Sequence, residues 1–341
     1  KKICTFNIGF KDSSFDESKY AQTVAKLYNT DHRTLMVDSK MFLNEMEKTS
    51  NYYDEPFADN SFVPTLLLSR FTRKKVTVAL SGDGGDENFA GYDRYNIVKF
   101  EKYYSQLPKT LRNKVIKPTT NLLFDFFPNM ITKRVSTFAN SFEKPFYNKY
   151  LYYKAFFTKN DKEAILSKKI KTDDIFLNKN GFDSKNSHLD NALSIDINSY
   201  LPEDLLYKTD IASMSASLEV RAPLLDHELM ETIAKMPDNL KIKSFNKKYI
   251  FKKMLLDKNI LPSEIINRPK QGFVMPISDW LKNDLKDYTI SQLNSLKFRE
   301  SNIFDNRKLD KYIDLFFSTN LNYHNNIFAL LTLSNWINKY F

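Results

Sequence analysis

Short apolar runs alternate with stretches of helical period through the first hundred residues. "KICTFNIGF" is apolar, β-rich and stopped by Gly9, which predicts a strand over 3–8. "FDESKYAQTVAKLYN" repeats Tyr20, Val24 and Leu27 at helical spacing behind Asp16 as a cap. "DHRTLMVD" predicts a second strand, with 33–37 at its centre. "SKMFLNEMEKTSNYY" predicts a helix capped by Ser39, with Phe42, Leu43 and Met46 inward. "FVPTLLLSRFTRKK" predicts another, with Pro64 in its first turn, where proline is tolerated. "VTVAL", 76–80, predicts a short third strand, apolar but for Thr77. This order predicts an α/β fold whose three strands lie side by side in a parallel sheet, with helices on both faces.

Beyond about residue 95 the strands stop. The stretches from "FEKYYSQLPKTLRNKVIK" to "KNDKEAILSKKI" are aromatic, lysine-rich and helical in period. A loop is predicted over 170–190, and helices resume from Leu189, broken at Pro202, Pro223, Pro237, Pro262 and Pro276. The predicted organisation is an α/β nucleotide-binding layer over 1–95 and a largely helical part over 96–341.

Candidate chemistry concentrates in "LSGDGGDENFAGYDRY", residues 80–95. Only seven glycines occur in the chain, and Gly82, Gly84, Gly85 and Gly91 fall here. The stretch starts at the carboxyl end of the third strand, where parallel α/β sheets hold ligands. Glycine lets backbone approach a ligand, and successive N–H groups form a concavity for anions. Asp83, Asp86 and Glu87 would repel phosphate unless a divalent cation lay between; Mg²⁺ takes one or two carboxylates plus phosphate oxygens. The loop therefore suggests a Mg-nucleotide site, the plainer alternative being a solvated acidic turn. Neither the spacing of a calcium loop nor a G-K-[ST] phosphate loop is present.

Composition adds limits. Apolar residues make up 42% of 341 and charged residues 27%, which fits a globular core and not a disordered chain. No apolar run approaches a membrane span, and no secretory leader is recognisable, so a cytoplasmic protein without a membrane partner is expected. The single cysteine, Cys4, fits a reducing compartment. A net charge of +10 raises the question of nucleic acid, but the lysines are dispersed, so no nucleic-acid partner is expected. The four histidines show no metal-ligand spacing. The aromatic stripes over 100–160 suit a core or an interface, and a homo-oligomer is possible.

"LSGDGGDENFAGYDRY" resembles the signature of the synthetase half of glutamine-dependent asparagine synthetases. "TFNIGF" with "DESKYA", "DEPFADNSFVPTLLLS", "LPEDLLYKTDIASMSASLEVRAPLLDHEL", "NKKYIFKKML" and "LPSEIINRPKQGFVMPISDW" resemble further blocks of that family in order. The resemblance implies an adenine-nucleotide alpha-hydrolase-like fold of the ATP-pyrophosphatase type. It implies ATP and Mg²⁺, and activation of aspartate as β-aspartyl-AMP with release of pyrophosphate. Ammonia, drawn from a glutaminase domain, then forms the amide. That domain and the family's S-G-G-x-D-S phosphate loop have no match here. The chain opens at Lys1 within a strand and is expected to be a carboxyl-terminal fragment, inactive alone.

On the matching positions the resemblance places Asp86 at Mg²⁺ and Lys248 and Lys270 at phosphate and oxyanion. It places Asp83 as the base for attacking ammonia, one carbon shorter than the glutamate of some members. Ser81, Gly82, Thr5 and Phe6 fall at the nucleotide. Arg221 and Asp226 form either a buried ion pair or contacts near the nucleotide, and Asp54 and Glu55 either border the aspartate pocket or cap a turn. Two other readings stay open: the same chemistry on another carboxylate, such as a polysaccharide sugar acid or an intramolecular closure as in β-lactam synthetases, and a degenerate interaction protein.

Overall fold

The computed structural model describes all residues except 128–129, 169, 171–180, 269–271, 273–274, 320 and 322. The chain is mostly helical with short parallel strands. Its first segment carries β1 (Cys4–Gly9), α1 (Ser18–Leu27), β2 (Asp31–Met36), α2 (Ser39–Met46), α3 (Phe62–Arg73), β3 (Val78–Leu80) and α4 (Gly85–Asn88). The next carries α5 (Asp93–Tyr104), α6 (Lys109–Leu111), α7 (Lys117–Phe126), α8 (Met130–Ser141), α9 (Phe146–Lys154), α10 (Lys159–Glu163) and α11 (His188–Ile195). A π-helical stretch, Arg112–Ile116, joins α6 to α7. The third holds α12 (Tyr207–Ser215), β4 (Glu219–Arg221), α13 (His227–Ala234), α14 (Asp238–Lys241), α15 (Tyr249–Asp257), α16 (Ser263–Ile266) and α17 (Ile277–Lys282). The chain closes with α18 (Lys286–Leu293), α19 (Leu296–Glu300), α20 (Asn306–Ser318) and α21 (His324–Tyr340). Two compact units result: Lys1–Gly91 with Asp196–Thr289, and Tyr92–Ile195 with Ile290–Phe341.

In the first unit β1 pairs with β2 in parallel, Cys4 opposite Asp31 and Gly9 opposite Met36. The expected single sheet is not what forms. β3 pairs in parallel with β4, Val78 opposite Glu219, in a second two-stranded sheet. Glu219 N donates to Thr77 O and Ser81 N to Arg221 O, which ties β3 to a strand from the third segment, and among the described residues no ladder joins β3 to β1 or β2. β4 itself was not foreseen, since "EVR" carries no apolar run. The predicted burial of 76–80 also fails: Leu80 is 73% exposed.

Local detail departs from the sequence reading in three places. Asp38, not Ser39, caps α2, its carboxylate accepting from Met41 N at 2.8 Å. Asp16 acts one residue early: it accepts from Ser18 N and Oγ, while Glu17 occupies the cap position of α1 without a side-chain bond. Pro202 does not break its helix, because it sits inside a π-helical stretch, Asp196–Leu206, that runs into α12. Proline lacks one donor, and the wider turn relieves the clash a regular helix would impose. Phe42 and Met46 are buried as expected.

In the second unit α21 carries the long apolar run Ile327, Phe328, Leu330 and Leu331, all buried. His324 opens this helix, and burial pushes its imidazole down to about 4. Its folded pKa lies below the unfolded value, so the group costs nothing above about pH 6.5. Stability falls as pH drops from there towards 4, because only the unfolded chain takes up the proton. The loss should reach roughly 2–3 kcal/mol. Urea unfolding of the parent and of His324→Gln at pH 7, 5.5 and 4.5 checks this: the variant should lose less stability across the series, and parallel losses would count against it.

Candidate active site

The glycine loop leaves β3 at Ser81. Ser81 Oγ donates to Asp83 Oδ2 at 2.8 Å, which orients the carboxylate. Gly82 is exposed, with open space where a Cβ would stand. Gly84 has φ +85°, the left-handed region that favours glycine, and there the chain turns into α4. A Cβ on Gly84 would lie 2.1 Å from Leu225 Cδ2. The loop is thus pressed against the turn that follows β4, and Asn88 Nδ2 fixes that contact by donating to Leu224 O at 2.6 Å.

Lys248 arrives from a third block. It sits at the start of α15 with φ 53°, an uncommon conformation for a residue with a side chain. Its N–H donates to Phe89 O at 3.1 Å, and Phe89 stacks on Phe251 with centroids 4.7 Å apart. These contacts aim the ammonium at Asp86, and Nζ lies 2.8 Å from Oδ1 in a partly solvent-open ion pair. Burial first, then the charges of Lys247 and Lys248, holds the neighbouring Lys252 below the usual ammonium range. Glu87 faces the interior, away from solvent. Blocks from residues 81–91, 219–225 and 247–251 therefore meet at the glycine loop, which carries two pairs, Ser81 with Asp83 and Asp86 with Lys248.

Other expected residues stand elsewhere. Thr5 lies on β1, its hydroxyl hydrogen-bonded to Thr30 Oγ1 and His32 Nδ1. Phe6 meets Phe71 edge-on and lines a cavity of about 290 Å³ with Ile8, Tyr20 and the Glu17–Arg268 ion pair. Lys270 lies outside the described residues. The buried Arg221–Asp226 pair does not form: Arg221 bonds Glu219 on the exposed face of β4, and Asp226 caps α13 by accepting from Leu229 N. Asp54 and Glu55 are exposed.

A further charged pair has no motif in the sequence to mark it. Lys208 Nζ meets Asp59 Oδ2 at 2.7 Å and Ser61 Oγ at 2.6 Å, with Lys208 buried. Burial works to raise the Asp59 carboxyl, but the Lys208 charge and the bonds from Lys208 and Ser61 prevail and hold it below the usual range. The signal was a lysine in an apolar helix, "DLLYKTD", four residues after an aspartate.

The sequence model of the asparagine synthase family matches residues 1–338. The chain belongs to the asparagine synthase family. It is similar to a glutamine-hydrolysing asparagine synthetase of Bacillus subtilis, 28% identical over 287 residues, covering 83% of this chain and 44% of that protein. A second Bacillus subtilis asparagine synthetase is 23% identical over 319 residues, 89% of this chain and 44% of that one. The amidase chyE of Penicillium rubens is 27% identical over 311 residues, with 81% and 44% covered. The chain spans less than half the length of these relatives.

Gly91 closes the family block. A Cβ there would stand 1.8 Å from Asp86 Oδ1 and 2.3 Å from Lys248 Cε. Both are side-chain atoms, so alanine should displace the ion pair and leave the backbone in place. Gly91→Ala is expected to cost about 1–2 kcal/mol, the usual scale of overpacking. In an Asp86→Ala/Lys248→Ala background the same change should cost less than about 0.5 kcal/mol, because the colliding atoms are gone. Urea unfolding of the four proteins tests this, and an equal cost in both backgrounds would show that the pair does not dictate the glycine.

Proposed function

We propose that this chain supplies the ATP-using half of an asparagine synthetase-type, AMP-forming carbon–nitrogen ligase. Aspartate attacks the α-phosphorus of ATP through its side-chain carboxylate, pyrophosphate leaves, and ammonia displaces AMP from the β-aspartyl adenylate. The observation that carries this reading is the convergence of three family blocks on the Asp86–Lys248 pair at the mouth of the glycine loop.

Each chemical need has a candidate residue. Lys248, with Lys270, would neutralise charge on the phosphates. Asp83, oriented by Ser81, would take the proton lost by ammonia nitrogen as it adds to the acyl carbon. Gly82 leaves backbone open to the nucleotide, and the cavity beside Phe6 supports a purine site on β1, with Thr5 behind it. Asp86 fits Mg²⁺ as an oxygen donor partly open to solvent. Among the described residues no three His, Cys, Asp or Glu side chains form a metal cage, but Mg²⁺ on phosphates needs only one or two carboxylates. When bound, the ion would draw charge from the phosphate oxygens.

β1 and β3 each have one strand partner among the described residues. We take their other edges, beside exposed Ile3 and Leu80, as places for a further strand carrying the pyrophosphate loop. Completion of the large parallel sheet is part of this proposal, as is ammonia supply by a glutaminase domain. A second reading keeps the chemistry and changes the acceptor carboxylate. It is favoured by the similarity to a protein named an amidase as well as to synthetases.

The test uses the intact protein. With aspartate labelled by ¹⁸O in the side-chain carboxylate, AMP should gain one labelled oxygen, and unlabelled AMP would exclude aspartyl adenylation. Asp83→Asn should retain aspartate-dependent exchange of labelled pyrophosphate into ATP while losing amide formation. Lys248→Ala and Lys270→Ala should each slow product formation about a hundredfold, the scale for one preorganised charge. The isolated 341-residue chain is expected to release no pyrophosphate at enzymatic rates.

A further inference from the structure

The helical hairpin of α7 and α8 is built inside out. From α6 through α7, Leu111, Val115, Leu122 and Phe126 recur at spacings of four, seven and four, which places them on one helical face. That face is the outer one: Leu122 is 57% and Phe126 71% exposed. On α8, Ile131 is 72% exposed and Val135 is exposed as well. The two helices are bridged by polar side chains. Asn121 Oδ1 accepts from Ser136 Oγ at 2.8 Å and from Asn140 Nδ2 at 2.7 Å. Arg112, largely covered, pairs with Glu143 at 3.4 Å. A water-soluble helix pair normally buries its apolar stripe and turns its amides outward. Here hydrogen bonds join the two helices, Phe138 and Ala139 of α8 turn inward onto Tyr104 and its neighbours, and the apolar stripe faces out, the arrangement that suits an apolar surrounding on that side.

Charge selects that surrounding. Residues 109–134 contain six Lys or Arg and one acidic residue, Asp125. Lys109, Lys114 and Arg134 are exposed beside the apolar stripe. A second copy would set like charge against like. An apolar face rimmed by lysine and arginine instead matches the boundary between acyl chains and anionic headgroups. No helix among the described residues is long and apolar enough to cross a membrane, so the hairpin would lie on the surface. We infer that the α7–α8 hairpin docks this protein on an anionic lipid surface. The expectation of no membrane partner rested on the lack of a spanning run, which a surface-bound helix does not need. This inference stands apart from the proposed reaction, because it uses none of the residues at the glycine loop.

The test is flotation of the full-length protein with vesicles of phosphatidylcholine containing about 30% phosphatidylglycerol, beside pure phosphatidylcholine, at low and high salt. The parent should float with the anionic vesicles at low salt and about tenfold less with the neutral ones or at high salt. Leu122→Ser/Phe126→Ser should lose flotation with an unchanged unfolding midpoint, since both side chains are already exposed. Lys114→Glu/Arg134→Glu should lose it too. Three results would overturn the inference: no flotation by the parent, flotation that survives both double variants, or an α7–α8 face already covered in the vesicle-free protein. The last would appear as slow deuterium exchange over 109–135, or as a dimer that Leu122→Ser/Phe126→Ser dissociates. Loss of vesicle binding with synthesis of product intact, or the reverse, separates this inference from the proposed reaction.

Discussion

A methyl group at position 91 would displace the Asp86–Lys248 ion pair, because the chain there passes directly against it. That constraint organises the first unit. For the pair to exist, α15 must present Lys248 in a left-handed conformation, and it does so by hydrogen-bonding to Phe89 on the far side of the glycine loop. The loop must in turn be fixed from below, by Leu224 and Leu225 against Gly84 and Gly85. Those leucines are held by β4, whose pairing with β3 launches the loop at Ser81. The glycines are therefore spent mainly on close passage of chain against chain. Within the loop, Gly84 is the glycine whose φ requires it, and Gly82 is the one whose backbone lies bare to solvent.

Each unit also holds a largely buried ion pair that hydroxyls help to satisfy. In the first, Lys208 lies between Asp59 and Ser61. In the second, Lys149 pairs with Glu101, whose other oxygen accepts from Tyr153 at 3.1 Å. Burial raises the Glu101 carboxyl against the opposing pull of Lys149 and Tyr153, whereas in the first unit the lysine prevails over burial. Pairs of this kind add little net stability, but removing one partner costs about 3–5 kcal/mol. Their effect is on register. Asp59 comes from the turn before α3 and Lys208 from α12, two helices that pack together, and only one sliding position lets the charges meet.

Legibility in the sequence followed the range of the determining interaction. β1, β2, the helices between them and the loop after β3 are set by local periodicity and by glycine, and they stand where the pattern puts them. The partner of β3 is set by a contact across some 140 residues, and "EVR" has too little apolar character to announce a strand. Ser39 and Asp38 are both good caps, and nothing in the spacing decides which one starts the turn. The burial of Asp59 and Lys208 is invisible to hydropathy, because the charges hide each other. Leu111, Val115, Leu122 and Phe126 mislead in the opposite sense, since their spacing reads as a core stripe and they face outward. Asp83, Asp86 and Lys248 were singled out through family resemblance, and the pairing of Lys248 with Asp86 across some 160 residues is a three-dimensional fact that the blocks alone do not contain.

The two halves of the proposed reaction make unequal demands on such a chain. Adenylation fixes a polyanion of constant shape, so its groups must sit on a rigid frame, and the glycine-gated ion pair is such a frame. Amidation asks only for a base within reach and a pocket that orients one carboxylate. If Asp54 and Glu55 border that pocket, it could change without disturbing the frame, because they lie exposed on a segment separate from the loop, while half-buried Asp59 anchors the same segment to α12. On the proposed reading, a shared ATP-using frame with an exchangeable acceptor side would account for the similarity of this one chain to proteins named both as asparagine synthetases and as an amidase.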